Sequence, residues 1–101
     1  MLINSTRNDS VLTITIEGKL DTLTSVELKN TLKNSLSGID SLVLDFAKLD
    51  YISSAGLRTL LNAHKLMSVQ GGMKVMNVNE GVMEILRITG FSNILSIESK
   101  S

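Results

Sequence analysis

The side chains best suited to chemistry are two adjacent serines, Ser53 and Ser54, which precede a predicted amphipathic helix. A serine at a helix start can cap the helix by accepting hydrogen bonds from its first free amides. It can instead present a hydroxyl for modification, because the positive end of the helix dipole stabilises a phosphate. The residues alone leave both roles open. In the capping interpretation, Gly56 serves only to allow close packing against a neighbouring loop.

A hydrolytic role for these serines is excluded by the absence of a base. His64 is the only histidine and lies ten residues beyond Ser54 on the same predicted helix. The helical rise places it roughly 15 Å away, beyond hydrogen-bond reach. The segment also lacks the Gly-x-Ser-x-Gly elbow of serine hydrolases. His64 is interpreted as a residue at the edge of the core.

Two carboxylates, Asp21 and Asp50, are predicted to lie near the serines. Paired carboxylates can perform acid–base chemistry or bind Mg²⁺, but two are few for a metal site. Asp50 is interpreted as the cap of a turn. Asp21 lies between a strand end and a helix that has another predicted cap, so it is a candidate for a functional site.

Composition excludes several classes of function. The chain has no cysteine and one histidine, so no zinc site is expected. Its formal net charge is zero, and one tyrosine and two phenylalanines are its only aromatic residues, which argues against nucleic acid as the main ligand. No phosphate-cradling Gly-x-x-x-x-Gly-Lys is present, and Gly71-Gly72 lacks the rest of a dinucleotide fingerprint. We expect neither a cofactor nor a metal.

Nothing in the sequence predicts insertion into a membrane. No apolar run reaches the ~18 residues that a transmembrane helix needs. The start of the chain, Met1-Leu2-Ile3-Asn4, does not have the pattern of a signal peptide. We therefore expect a cytoplasmic protein in which residues 1–101 form one domain.

Hydrophobic periodicity predicts five strands and three helices. The predicted strands cover residues 2–7, 10–17, 42–46, 73–78 and 94–98, with a turn at Asn8-Asp9 between the first two. The first predicted helix begins with a Thr24–Glu27 capping box and buries a stripe of Leu28, Leu32 and Leu36. The second covers residues 54–70, and the third covers 80–89 after an Asn79 cap. The nearly continuous apolar run at 42–46 predicts a strand covered on both faces.

This order of elements predicts an α/β fold. Strands separated by single helices pair in parallel through right-handed crossovers, whereas the first two strands, joined by a tight turn, pair antiparallel. The result is a mixed, mostly parallel sheet of about five strands with three main helices. Ligands of such sheets bind outside the carboxyl ends of the strands. That edge is predicted to gather three polar loops: Asp21-Thr22; Asp50 with Ser53-Ser54; and Asn77 with Asn79.

The run Leu49-Asp50-Tyr51-Ile52-Ser53-Ser54-Ala55-Gly56-Leu57-Arg58-Thr59-Leu60-Leu61 resembles the phosphorylation segment of STAS domains, specifically those of bacterial anti-sigma factor antagonists. Four other landmarks fit the same family in order: Gly18-x-Leu20-Asp21, Leu42-Val43-Leu44-Asp45, Gly71-Gly72 and Thr89-Gly90-Phe91. The resemblance covers almost the whole chain without insertion.

The resemblance implies a switch protein that is not itself an enzyme. Such an antagonist binds an anti-sigma factor that is also a serine/threonine kinase, and thereby frees the sigma factor. The kinase phosphorylates a serine at the start of the second helix, which separates the pair, and a PP2C-type phosphatase restores the hydroxyl. By position the implied acceptor is Ser54. The family often has aspartate immediately before the acceptor, whereas this chain has a second serine there, so Ser53 is the alternative acceptor. The implied partner-binding residues are Asp21, Thr22, Asp50, Ser53, Ala55, Gly56 and Arg58.

Arg58 stands where many members of the family carry glycine. It lies four residues beyond Ser54, on the same face of the predicted helix, so it can contact a partner or pair with a phosphate. Two other functions remain open at this stage. STAS domains also serve as adaptor subunits of transporters and of other signalling complexes, and the carboxyl-edge crevice is a possible nucleotide site.

Overall fold

A computed structural model describes residues 2–99 of the chain. The strands are β1 (Leu2–Asn8), β2 (Val11–Leu20), β3 (Ser41–Ile52), β4 (Met73–Val78) and β5 (Ser96–Ser99). The helices are α1 (Thr22–Ser35), α2 (Ser54–Ser68) and α3 (Glu80–Ile88), and a short 3₁₀ turn at Phe91–Asn93 precedes β5. The predicted order of strands and main helices is confirmed; the 3₁₀ turn was not predicted.

The five strands form one sheet in the order β1-β2-β3-β4-β5. Strand β1 runs antiparallel to β2, and the remaining neighbours are parallel. The predicted mixed, mostly parallel sheet is therefore confirmed. Each helix connects two adjacent strands, so right-handed crossovers keep all three helices on the same face of the sheet.

The core lies between that face and the helices. Ile14, Leu44 and Val75 occupy matching positions on β2, β3 and β4 and are fully buried. Their neighbours on β3, Val43 and Asp45, point to the other face and are only half-buried. The prediction that the third strand is covered on both faces is wrong, because the sequential strand order leaves no helix for the second face.

Strand β3 extends six residues beyond its predicted end. It continues because buried Leu49 and Ile52 pair with the end of β2, opposite Gly18 and Leu20. The register slips between Gly18 and Lys19, so Asp50 is an extra residue in a β-bulge. The interpretation of Asp50 as a turn cap is therefore wrong: Asp50 is an exposed strand residue.

The helices bury the predicted apolar stripes. Leu28, Leu32 and Leu36 are buried at α1, as expected. Helix α2 buries Leu57, Leu60, Ala63 and Met67, and His64 beside them is half-buried, which agrees with its predicted place at the edge of the core. Within residues 2–99, no helix is long and apolar enough to cross a membrane.

Candidate functional site

The N-termini of α1 and α2 lie side by side at the carboxyl edge of the sheet. Leu20 and Ile52 pair at the ends of β2 and β3, and the Ser53 backbone N–H donates to the Leu20 carbonyl at 2.9 Å. The next residues in each segment, Asp21 and Ser53, cap α1 and α2. The pairing of two strand ends thus brings together two of the three predicted loops.

Asp21 is the cap of α1. Its Oδ1 accepts hydrogen bonds from the backbone N–H groups of Leu23 and Thr24, both at 3.1 Å. The Thr24 Oγ1 accepts in return from the Asp21 N–H at 2.8 Å. The predicted Thr24–Glu27 capping box is therefore wrong, and so is the inference that Asp21 has no capping role. The helix begins earlier because Asp21 directly follows the last paired residue of β2, which makes Thr24 the partner in the box.

The capping bonds lower the pKa of the Asp21 carboxyl. The backbone N–H of Thr24 is the largest cause, and the Thr24 hydroxyl is the next. Each donor stabilises the carboxylate more than the neutral acid. The edge therefore keeps a negative charge beside the α2 N-terminus at all physiological pH values.

Replacement of Asp21 by alanine is expected to lower the melting temperature by roughly 5 °C at neutral pH, since the cap of α1 is lost. Asp21→Asn keeps an amide oxygen as acceptor and is the matched control, with a smaller fall. In the folded protein the pKa of the Asp21 carboxyl lies below its ordinary value of 3.8. The stabilisation is therefore fully present above pH 3.8 and is lost as the pH falls through the lowered pKa. Melting curves between neutral and acid pH should show the gap between wild type and Asp21→Ala closing; a constant gap would contradict this.

Ser53 and Ser54 have different surroundings despite being adjacent. The Ser53 Oγ accepts from the Gly56 N–H at 3.3 Å, so this half-buried hydroxyl caps α2. Ser54 is the first residue of α2 and is exposed, and within the described chain its hydroxyl makes no hydrogen bond. The capping role and the free hydroxyl therefore belong to different serines.

Gly56 lets α2 approach β2 closely. A Cβ at this position would lie 2.8 Å from the Leu20 carbonyl oxygen and 2.9 Å from Cγ1 of Ile52. The interpretation of Gly56 as a close-packing residue is confirmed, although the neighbours are strand ends. Gly56 is buried, so it does not itself face solvent.

The other predicted site residues surround the two helix starts. Thr22 is the first residue of α1 and is exposed, as Ser54 is on α2. Thr22, Ala55 and Arg58 line one open groove between α1 and α2, with a volume of about 250 Å³. Asp50 lies on the neighbouring bulge of β3, two residues before the end of the strand.

Two features of this surface were missed by sequence reasoning. The same groove has five further lining residues: Ser25, Val26, Lys29, Thr59 and Asn62. Only their spacing along two predicted helices could have indicated that they share a surface. Leu23 and Tyr51 are large apolar side chains with 81% and 46% exposure, which suits contact with a protein surface. Apolar, hydroxyl and carboxylate side chains thus lie on the segments next to the two helix starts.

The third predicted loop serves the fold. The Asn79 side chain caps α3 by accepting from the Val82 N–H at 2.9 Å, and its amide donates to the Leu49 carbonyl at 2.8 Å. The Asn77 amide donates to Asp45 at 3.0 Å. The side-chain amides of both asparagines are thus engaged in bonds within the fold. In the part of the chain that the structure describes, no cluster of three potential metal ligands occurs.

Comparisons with known proteins identify the fold. The profile of the STAS domain family matches residues 3–101. A Bordetella bronchiseptica protein named as an anti-sigma factor antagonist, BtrV, is 33% identical over 99 residues, which are 96% of this chain and 85% of that protein. The anti-sigma-B factor antagonist of Bacillus subtilis is 26% identical over 96 residues, which are 94% and 88% of the two chains.

Two solved structures of SpoIIAA, one unphosphorylated and one phosphorylated, have the same fold as this chain. Unphosphorylated SpoIIAA, an anti-sigma factor antagonist, matches with a TM-score of 0.82 at 14% identity over 95% of this chain and 87% of its own. The phosphorylated form of SpoIIAA, a Bacillus cell fate determinant, matches with a TM-score of 0.75 at 13% identity over 95% and 90%.

A five-stranded sheet in sequential order, with its helices on one face and two capped helix starts at one edge, defines this chain as an α/β domain of the STAS fold. The chain belongs to the STAS domain family. The relatives compared above are named as anti-sigma factor antagonists.

Proposed function

We propose that this protein is an anti-sigma factor antagonist that is switched off by phosphorylation of Ser54. In the unmodified state it binds an anti-sigma factor kinase and so releases the sigma factor. The observation that carries the proposal is the exposed, unbonded hydroxyl of Ser54 at the first position of α2, beside a serine whose own hydroxyl is used as the cap. Relatives named as antagonists of anti-sigma factors support the choice of partner.

The partner binds over the helix starts, where Asp21, Thr22, Asp50 and Ala55 surround the serines. We assign no base of this chain to the Ser54 hydroxyl, because the one histidine is half-buried further along α2 and the Asp21 carboxylate is engaged as the cap of α1. The ATP and the catalytic base therefore belong to the partner, and the protein is a substrate and a binding module. A PP2C-type phosphatase returns it to the binding state, and the exchange takes place in the cytoplasm.

Phosphorylation weakens binding by electrostatic repulsion without a change of backbone. A phosphate adds a charge of about −2 beside the carboxylates of Asp21 and Asp50, and binding brings these like charges into a partner interface that excludes water, where their repulsion is less screened. Coulomb energies between unit charges in contact are ~1 kcal/mol in water and ~4 kcal/mol at intermediate screening. Since ~1.4 kcal/mol is a tenfold change in affinity, one phosphate lowers affinity by roughly one to three powers of ten.

The Ser54→Asp variant, which places a negative charge at the start of α2, is expected to bind the anti-sigma factor at least about tenfold more weakly than wild type. Titration calorimetry measures the two affinities. Asn4→Asp is the matched control, because Asn4 is exposed on β1 opposite Thr15, on the sheet face away from the helices. It should bind like wild type. An affinity of Ser54→Asp equal to that of Asn4→Asp would contradict the switch.

A pull-down from cell extract distinguishes the antagonist from an adaptor subunit. Recovery of a transporter ATPase and no kinase would favour the adaptor role.

A further inference from the structure

The groove between α1 and α2 continues beyond the helix starts. Its second part has a volume of about 200 Å³ and is lined by Leu32, Ala63 and Leu66 among others. Lys29, Thr59 and Asn62 line both parts, so the two form one continuous groove. From Ala55 to Leu66 the groove follows α2 for about 16 Å.

The two parts of the groove differ in chemistry. The part near the helix starts contains hydroxyl, amide and cationic groups, including Ser25, Asn62 and Arg58. The part near Leu66 exposes mainly apolar surface, with Lys29 and Lys33 also among its lining residues. One end thus suits a polar head group and the other an apolar chain.

An unsatisfied hydroxyl lies at the polar end. Ser25 has only 4% of its surface exposed, and its Oγ has no hydrogen-bond partner. A buried polar group without a partner costs free energy and is rare in folded proteins, so this hydroxyl would gain from a hydrogen bond to a ligand in the groove. Lys29 and Arg58 line the same part of the groove, and neither forms an ion pair within residues 2–99. No acidic residue lines either part of the groove.

We propose that this groove binds a small amphiphilic anion, either a fatty carboxylate or an alkyl phosphate. The anionic head lies between Lys29 and Arg58 and accepts a hydrogen bond from the Ser25 hydroxyl. The alkyl chain lies along Leu32, Ala63 and Leu66. The polar end of the groove shares Thr22, Ala55 and Arg58 with the proposed partner surface but does not include Ser54, and the test below uses no partner protein, so its failure is distinguishable from failure of the proposed switch.

The test is a titration of the ¹⁵N-labelled protein with decanoate, and separately with octyl phosphate, below their micelle concentrations. Amide shifts are expected to be confined to α1 and α2 around Ser25, Lys29 and Ala63. Decanol, which has the same chain without the charge, should bind at least about tenfold more weakly, because it loses the charge-assisted bonds. Equal binding of decanol and decanoate, or no saturable shifts with either anion, would overturn the proposal.

Variants separate a ligand site from a structural feature. Lys29→Gln and Ser25→Ala should each weaken decanoate binding about fivefold to tenfold. Lys65→Gln, an exposed α2 lysine outside the groove, should bind as wild type does. Ser25→Ala should melt no lower than wild type, because it removes an unpaired buried hydroxyl. Unchanged decanoate binding in both Lys29→Gln and Ser25→Ala, or saturable binding of an acidic helical peptide in place of decanoate, would refute the assigned ligand.

Discussion

In a phosphorylation assay with its partner kinase, the Ser54→Ala variant is expected to incorporate no phosphate. Ser54 is exposed and its hydroxyl is free, so it can enter a partner's active site without breaking any bond of the fold. Alanine is well tolerated in a helix, so the free energy of unfolding of the variant should lie within about 0.5 kcal/mol of the wild-type value. The loss of labelling would then report on the acceptor and not on folding.

The matched control is Ser53→Asn. Asparagine caps helices as well as serine but has no hydroxyl to phosphorylate. It should therefore keep α2 intact and still incorporate phosphate, whereas Ser53→Ala would also remove the 3.3 Å cap to Gly56. Thr22→Ala removes the other exposed hydroxyl at a helix start and should likewise retain labelling of Ser54.

Retained labelling of Ser54→Ala together with its loss in Ser53→Asn would move the acceptor to Ser53. That result would require the hydroxyl to leave its cap before it reacts, since it accepts from the Gly56 N–H in the folded state. Amide hydrogen exchange at the α2 N-terminus would then be faster than the bond geometry implies. Mass spectrometry of the phosphorylated peptide distinguishes the two serines directly.

The sequence was enough to predict the order of elements and the sheet, because those depend on local periodicity and on crossover handedness. Leu28, Leu32 and Leu36 are spaced for one helix face, and all three are buried as predicted. The place of Ser54 at the start of α2 and the close packing at Gly56 were also predicted, since the start of an amphipathic helix is visible in the sequence. Sequential pairing of strands then brought Asp21 next to them.

The wrong predictions concern features for which the local sequence is compatible with more than one structure. Asp21 and Thr24 are both good caps, and only the end of β2 at Leu20 decides that Asp21 takes the position. The apolar run from Leu42 to Phe46 is compatible with one or two covered faces, and strand order decides between them. The groove between α1 and α2 depends on how two helices pack, which neither helix encodes alone.

The second large effect is expected at Gly56, where alanine should lower the free energy of unfolding by about 2 kcal/mol. Its Cβ would lie under 3.0 Å from a backbone oxygen, the Leu20 carbonyl, and that oxygen also accepts the Ser53 N–H at 2.9 Å. Overpacking of this kind costs about 1–3 kcal/mol or more. The gain of about 0.5–1 kcal/mol that alanine brings to a helix offsets only part of that cost.

Gly81 near the start of α3 provides the matched control. A Cβ there would lie 3.5 Å from the Asn79 Oδ1, which is ordinary contact, so Gly81→Ala should stabilise the protein by about 0.5–1 kcal/mol. Urea denaturation of both variants measures the difference. Gly56→Ala should also bind the anti-sigma factor more weakly, because relief of the contact moves the start of α2 away from β2 and carries Ser54 with it. If Gly56→Ala were as stable as Gly81→Ala, the close approach of α2 to β2 could not be what positions Ser54.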